Sequence, residues 1–186
     1  MDAGPKTDES LMAQVVAGQQ ACLTPLVRRY ASPLLTFIQR MIGDRHRSED
    51  LFQEVFLAVW RNRRRYKFPR PFRAWLFGIA MNACRADFRR RAATVVSLDQ
   101  DDPPWAPPAA DPPARDVLTA TETTTLVATA VRQLPARQRA VVVLRIWGGM
   151  PYAEIAQVLE TREATVRSNI HHGLAAMRQY LEPRLR

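Results

Sequence analysis

Hydrophobic residues recur at helical spacing from Glu9 to Arg91: Leu11, Val15 and Val16, then Leu23, Leu26, Val27 and Tyr30, then Leu34, Leu35, Ile38 and Ile42. The alternation of period two that marks a half-buried strand is missing from the sequence. Polar punctuation divides the run into four or five helices. Asp8 and Ser10 offer N-caps, Gly18 and Gly43 fall where a helix stops in a left-handed turn, and Ser48 ahead of Glu49 and Asp50 suits the start of the next. Helical spacing returns near Val117, continues through Leu134, restarts at Pro135 and breaks again at Gly148-Gly149. Between them, from Thr94 to Asp116, stands TVVSLDQDDPPWAPPAADPPARD, whose paired prolines forbid a continuous helix and favour an extended, semi-rigid spacer. The pattern predicts an all-α chain of two small helical domains, 1–93 and 117–186, joined by a Pro-rich acidic linker at 94–116.

A length of 186 residues accommodates that division. Charge then narrows the partners: 27 Lys+Arg against 18 Asp+Glu leave a formal net charge of +9, which attracts phosphate backbones or anionic surfaces. The excess is local, because residues 45–91 alone carry thirteen Lys and Arg against four Asp and Glu. Cys22 and Cys84 lie within apolar helical patterns without metal-ligand spacing, as expected for reduced thiols in the cytoplasm. The N-terminal MDAGPKTDES lacks the features of a signal peptide, and no uninterrupted run of about 18 apolar residues predicts membrane insertion.

Two stretches of the first domain carry candidate binding chemistry. In RSEDLFQEVFLAVW, residues 47–60, Leu51, Phe52, Val55, Phe56 and Val59 form an inward face. Asp50, Gln53, Glu54 and Leu57 then share an outward stripe, at spacing i, i+3, i+4 and i+7. Such a stripe fits an arginine-rich partner helix, and it also fits a solvated helix face. Downstream, RNRRRYKFPRPFRAW interleaves arginines with Tyr66, Phe68, Phe72 and Trp75, a composition suited to a phosphate backbone with unpaired, stacking bases. Helical spacing assigns Phe72, Trp75, Leu76, Ile79, Ala80 and Ala83 to the core, leaving Tyr66 and Phe68 as the loop aromatics available to a base.

The second domain reads LPARQRAVVVLRIWGGMPYAEIAQVLETREATVRSNIHHGLAAMRQYL, which has helix-turn-helix spacing. A helix from Pro135 to Trp147 precedes a short helix, a turn and a recognition helix from Ala164 to Leu181. Ala156, Leu159, Val166 and Ile170 form the expected core between the last two. Thr165, Arg167, Ser168, Asn169, His171 and His172 are the candidate groove-facing residues. Thr161 is the expected cap of the recognition helix. His171 and His172 point about 100° apart, and the remaining histidine, His46, belongs to the other domain, so no metal site is expected. No nucleophile–base pair, phosphate-cradling loop or carboxylate pair is readable, so neither catalysis nor a cofactor is expected.

The segment RSEDLFQEVFLAVW resembles the most characteristic segment of the sigma-70 family, and AGQQACLTPLVRRYASPLLTFIQRMIGD before it is similar to that family as well. PYAEIAQVLETREATVRSNI resembles the family's C-terminal domain, and the order of the parts matches the compact extracytoplasmic-function (ECF) subfamily. The resemblance implies a sigma factor that joins core RNA polymerase through the beta-prime coiled coil and the beta subunit and directs initiation at promoter DNA. It implies that Asp50, Gln53, Glu54 and Leu57 contact core polymerase. It implies that the basic loop, with Arg63, Arg64, Arg65, Tyr66, Lys67 and Phe68, captures a base of the −10 element with Asn82 among the groups reading it, and that the recognition helix with its groove-facing set reads the −35 element; Arg85, Arg89 and Arg90 are the phosphate contacts that the sequence itself offers on the helix after the loop. It further implies an anti-sigma partner and a linker whose Asp99, Asp101, Asp102 and Asp111 thread the polymerase interior. Relatives often carry a basic residue at Gly78 and Met81, glycine at Glu160, serine at Arg162, and arginine at Asn169, His172 and Leu174. The residues alone leave two other readings open: a helix-turn-helix regulator that binds duplex DNA without joining polymerase, and a non-catalytic RNA-binding protein.

Overall fold

A computed structural model describes residues 6–95 and 120–185, with side chains described over 6–93 and 122–185. The described elements are helices: α1 Asp8–Val16, α2 Leu23–Ile42, α3 Arg45–Arg61, α4 Phe72–Val95, α5 Ala120–Gln133, α6 Ala136–Ile146, α7 Tyr152–Leu159 and α8 Glu163–Leu181. Short 3-10 turns at Gln20–Cys22, Arg63–Arg65 and Glu182–Arg184 complete them. The expected linker falls outside the described residues except for its first two positions, which belong to the end of α4.

Local chemistry places the helix ends, and it corrects three expected caps. Thr7, not Asp8 or Ser10, caps α1 by accepting from the Ser10 amide at 3.2 Å. Asp8 is thereby free to reach α2, where it accepts from Arg29 at 2.5 Å and from the Tyr30 hydroxyl at 2.5 Å. Gly18 and Gly43 adopt the left-handed turn that the sequence requires of them, with φ of 96° and 78°. Directly after Gly43, Asp44 caps α3 by accepting from the Arg47 amide at 2.9 Å. The helix therefore begins before Ser48, which is buried and donates its hydroxyl to the Asp44 carbonyl. At α8 the cap position falls on Arg162, whose side chain makes no capping bond, so Thr161 does not serve.

The first domain packs α1 to α4 around aromatic contacts such as Tyr30 with Phe72 at 5.5 Å and Phe37 with Phe77 at 5.4 Å. One face of α4 was expected in this core, yet Phe77, Met81, Cys84 and Phe88 are buried along with Phe72, Trp75, Leu76 and Ala80. Ile79 and Ala83 are only half-buried. A helix buried around most of its circumference is covered from more than one side, and α7 of the second domain supplies the further cover. Burial pushes the Cys84 thiol up to about 12, so it stays protonated near neutral pH.

In the second domain Val131, Leu134, Ala140 to Leu144, Met150, Ile155 and Val158 meet Val166, Ile170 and Met177 of α8. Ala156 and Leu159, expected at the centre of this core, lie at its half-buried margin. Gly173 permits the close approach of α8 to α6, because a Cβ there would stand 2.8 Å from a methyl of Val142. Between α7 and α8 the chain turns at Glu160, a non-glycine residue in the left-handed region with φ of 52°. The two domains share one continuous hydrophobic core.

Candidate polymerase and nucleic-acid interfaces

On α3 the inward face is fixed by Leu51, Val55, Phe56 and Val59, all buried. Asp50, Gln53, Glu54 and Leu57 consequently project outward together, with Leu57 52% exposed. Sequence reasoning missed the anchor of this stripe. Arg47 bonds Glu54 at 3.1 Å and Asp50 at 3.6 Å, and its Nε donates to the buried Asp87 of α4 at 2.7 Å. Burial disfavours the Arg47 charge, but Asp87 and Glu54 outweigh it and hold its pKa above the ordinary arginine value. Asp87 also pairs with Arg90 at 3.3 Å and Arg91 at 2.9 Å. The one visible signal was its place as the lone carboxylate in RADFRRR.

The basic loop divides into structural and presented residues. Arg63 packs its guanidinium 4.0 Å from the Trp60 ring and donates to the Trp60 carbonyl at 2.8 Å, whereas Arg64, Arg65 and Lys67 are exposed. Tyr66 was expected to be available to a base, and this is corrected: the residue is 5% exposed. It packs edge-on against Trp75 at 5.3 Å and Phe72 at 6.3 Å, and donates its hydroxyl to the Arg70 carbonyl. The tyrosine closes the loop onto the hydrophobic start of α4. Burial, with a smaller contribution from the Glu9 charge, raises its pKa to about 12. Phe68, by contrast, is 63% exposed, next to a cis peptide bond to Pro69. Asn82 is exposed on α4 and accepts from Arg85 at 3.5 Å; Arg89 and Arg90 are exposed further along, Arg90 being paired with Asp87.

On α8, Thr165, Arg167, Ser168, His171 and His172 are exposed and Asn169 is half-buried. The Asn169 amide donates to the Thr165 carbonyl at 2.9 Å. Arg167 bonds Glu163 at 2.7 Å and lies 5.4 Å over the Tyr152 ring, which Arg145 also faces at 4.8 Å. The hydrogen bond to Glu163 raises the Arg167 pKa and keeps the guanidinium charged. The His171 and His172 rings meet edge-on at 5.5 Å. Among the described residues no cluster of three or more His, Cys, Asp or Glu could hold a metal ion, and no helix is long and apolar enough to cross a membrane.

A basic loop beside an acidic outward stripe, followed by a helix-turn-helix, defines an all-α protein equipped for a protein partner and for nucleic acid together. Comparison with known families agrees: the family model for Sigma-70 region 2 matches residues 26–94, and that for Sigma-70, region 4 matches residues 125–177. The chain is 32% identical to the ECF RNA polymerase sigma factor SigL of Mycobacterium tuberculosis, over 89% of this chain and 92% of that protein. It is 34% identical to SigE of Mycolicibacterium smegmatis over 88% of this chain, but spans only 64% of that relative's length. Among solved structures it is similar to CnrH in complex with the cytosolic domain of CnrY, with a TM-score of 0.73 at 24% identity, covering 96% and 99% of the two chains. A second is the sigma factor RpoE in complex with the anti-sigma factor NepR from Bartonella quintana, with a TM-score of 0.70 at 20% identity over 86% and 96%. The chain belongs to the sigma-70 family as an ECF sigma factor, which binds RNA polymerase and directs initiation at promoters. Members of this family are regulatory proteins rather than enzymes.

Proposed function

We propose that this sigma factor docks on core polymerase through Asp50, Gln53, Glu54 and Leu57, against the beta-prime coiled coil, with further contact to the beta subunit. The observation that carries the reading is the shared exposure of these four side chains on α3, held from below by Arg47 and Asp87. Phe68, Asn82, the exposed Arg64, Arg65, Lys67, Arg89 and Arg90 and the half-buried Arg85 hold a separated strand of the −10 element. Tyr66 and Arg63 shape that loop from inside. Helix α8 presents Thr165, Arg167, Ser168, Asn169, His171 and His172 to the −35 duplex. An anti-sigma factor is the expected regulator, and the cytoplasm the expected compartment. The docking assignment is tested by Glu54→Lys and Asp50→Lys: both proteins should keep their helicity and fail to co-elute with core polymerase. Unchanged polymerase affinity in both would remove it.

A further inference from the structure

We propose that Glu9 is a positioning residue for promoter opening: from α1 it supplies the helix cap that the base-capturing loop cannot supply for itself. The proposal rests on the −10 reading of Phe68 given above. Helix α4 begins at Phe72, directly behind the loop that carries Phe68, and the first amides of a helix need acceptors from outside its own ladder. The neighbouring sequence offers none. Lys67, Phe68, Pro69, Arg70 and Pro71 have no side-chain oxygen, and the Tyr66 hydroxyl donates to the Arg70 carbonyl. The acceptor comes instead from 63 residues upstream, where Oε1 of Glu9 accepts from the Phe72 amide at 3.1 Å. Phe72 is buried, with Tyr30 at 5.5 Å and Tyr66 at 6.3 Å, and an amide left without an acceptor in such a place is costly. A carboxylate also suits the positive end of the helix dipole. The Glu9 charge lies near enough to the loop to contribute, after burial, to the raised Tyr66 pKa.

Glu9 can reach across because its own helix is fastened elsewhere. Asp8, turned about 100° from it, accepts from the Tyr30 hydroxyl and from Arg29 of α2, both at 2.5 Å. Leu11, Met12 and Val15 bury the rest of the inward face of α1. The loop is thereby clasped at both ends. On one side Tyr66 reaches the Arg70 carbonyl, while the Arg70 amide donates to the Lys67 carbonyl at 2.9 Å and closes a turn around Phe68 and Pro69. On the other side Glu9 fixes the point at which the chain enters α4, two residues past that turn. Phe68 is 63% exposed, so these anchors set its direction, not packing of its own ring. A base leaving the stack must find that ring in place, and a misplacement of about 1 Å in a positioned group can cost as much as about 10²-fold in rate. Glu9 is half-buried and acts through the loop.

The test compares Glu9→Ala, Glu9→Gln, Phe68→Ala and the double variant Glu9→Ala with Phe68→Ala, each in the full chain. Opening by each holoenzyme is followed as permanganate reactivity of −10 DNA over time, promoter binding before opening is measured separately, and amide exchange at Phe72 is read by NMR in the free protein. Glu9→Ala should slow opening about tenfold and release the Phe72 amide to exchange, with core affinity and initial promoter binding within about twofold of wild type. Glu9→Gln keeps an accepting oxygen at the same reach, and should hold both readouts near wild type. Because Glu9 acts through Phe68, the double variant should open no more slowly than Phe68→Ala alone, whereas a glutamate with a merely structural role would add its own defect. Wild-type opening by Glu9→Ala, a glutamine as slow as the alanine, multiplied defects in the double variant, or core affinity lost together with opening would each overturn the proposal. Failure of the base-capture reading looks different: Phe68→Ala then opens promoters normally while protection of the Phe72 amide still depends on Glu9.

Discussion

The two interfaces of this sigma factor are held in different ways. In the first domain the presented residues stand on charges tied across helices: Asp87 of α4, with a side chain 4% exposed, gathers Arg47 of α3 with Arg90 and Arg91 of its own helix. Through Arg47 the same carboxylate reaches Glu54 and Asp50. In the second domain the recognition helix holds Arg167 only by Glu163 one turn away and by the face of Tyr152. Cross-helix ties couple the fold to the binding face, whereas one-turn pairs in water are screened and contribute little to stability. Mutations of the buried anchors behind the first interface should therefore disturb folding and binding together, whereas mutations of the pairs that hold the recognition helix's presented residues should separate them.

The largest expected effect tests that coupling within the basic loop. Tyr66→Ala removes a buried ring and its hydrogen bond to Arg70, and should cost about 3–5 kcal/mol of stability in urea unfolding. Phe68→Ala, at a side chain left largely in water, should change stability by under about 0.5 kcal/mol. Its defect belongs instead in promoter opening, read as lost permanganate reactivity of melted −10 DNA. If Phe68→Ala opened promoters normally, base capture by this loop would be wrong. If Tyr66→Ala were as stable as wild type, the buried anchor would be wrong.

A smaller effect compares the two charge arrangements directly. Asp87→Ala strands Arg47 near a buried position and should cost about 2–4 kcal/mol, the upper range being reduced because Arg90 and Arg91 can turn to solvent. It should also weaken polymerase binding, since Arg47 then draws more strongly on Glu54. Glu163→Ala should leave the unfolding midpoint unchanged. Equal losses in the two variants would erase the proposed difference between the domains.

How much of this was legible follows from the physics of each feature. The helices, the Gly18 and Gly43 stops and the outward stripe of α3 are properties of local spacing, and the sequence displays local spacing directly. Tyr66 and Phe68 stand two positions apart in one loop with similar chemistry, and only tertiary packing decides which is swallowed and which presented. Asp87 was hidden for the same reason, its partner Arg47 being forty residues away. The far side of α4 is buried because α7, distant in sequence, covers it, and Arg139 carries no sequence sign that helix-end carbonyls accept its hydrogen bonds. The family's usual glycine at Glu160 and serine at Arg162 marked this turn as a departure, but the cap expected from Thr161 is not made, because the cap position falls one residue later on Arg162.

That uncapped end gives the smallest and most specific prediction. Arg162 has the extended backbone of an N-cap, with φ of −84° and ψ of 147°, but its side chain offers donors where the first amides of α8 require an acceptor. Arg162→Ser places a hydroxyl oxygen within reach of those amides, at a backbone geometry already suited to it, and should stabilise the fold by about 1 kcal/mol. In a chain of this size that corresponds to a rise of roughly 2–4 °C in the unfolding midpoint if the two domains melt as one unit. The continuous core favours single melting. Two calorimetric transitions, with only one moved by the substitution, would show that α5 to α8 unfold independently of α1 to α4. A midpoint unchanged by the serine would mean that the α8 amides already have an acceptor, and the weaker hold assigned to the recognition helix would have to be abandoned.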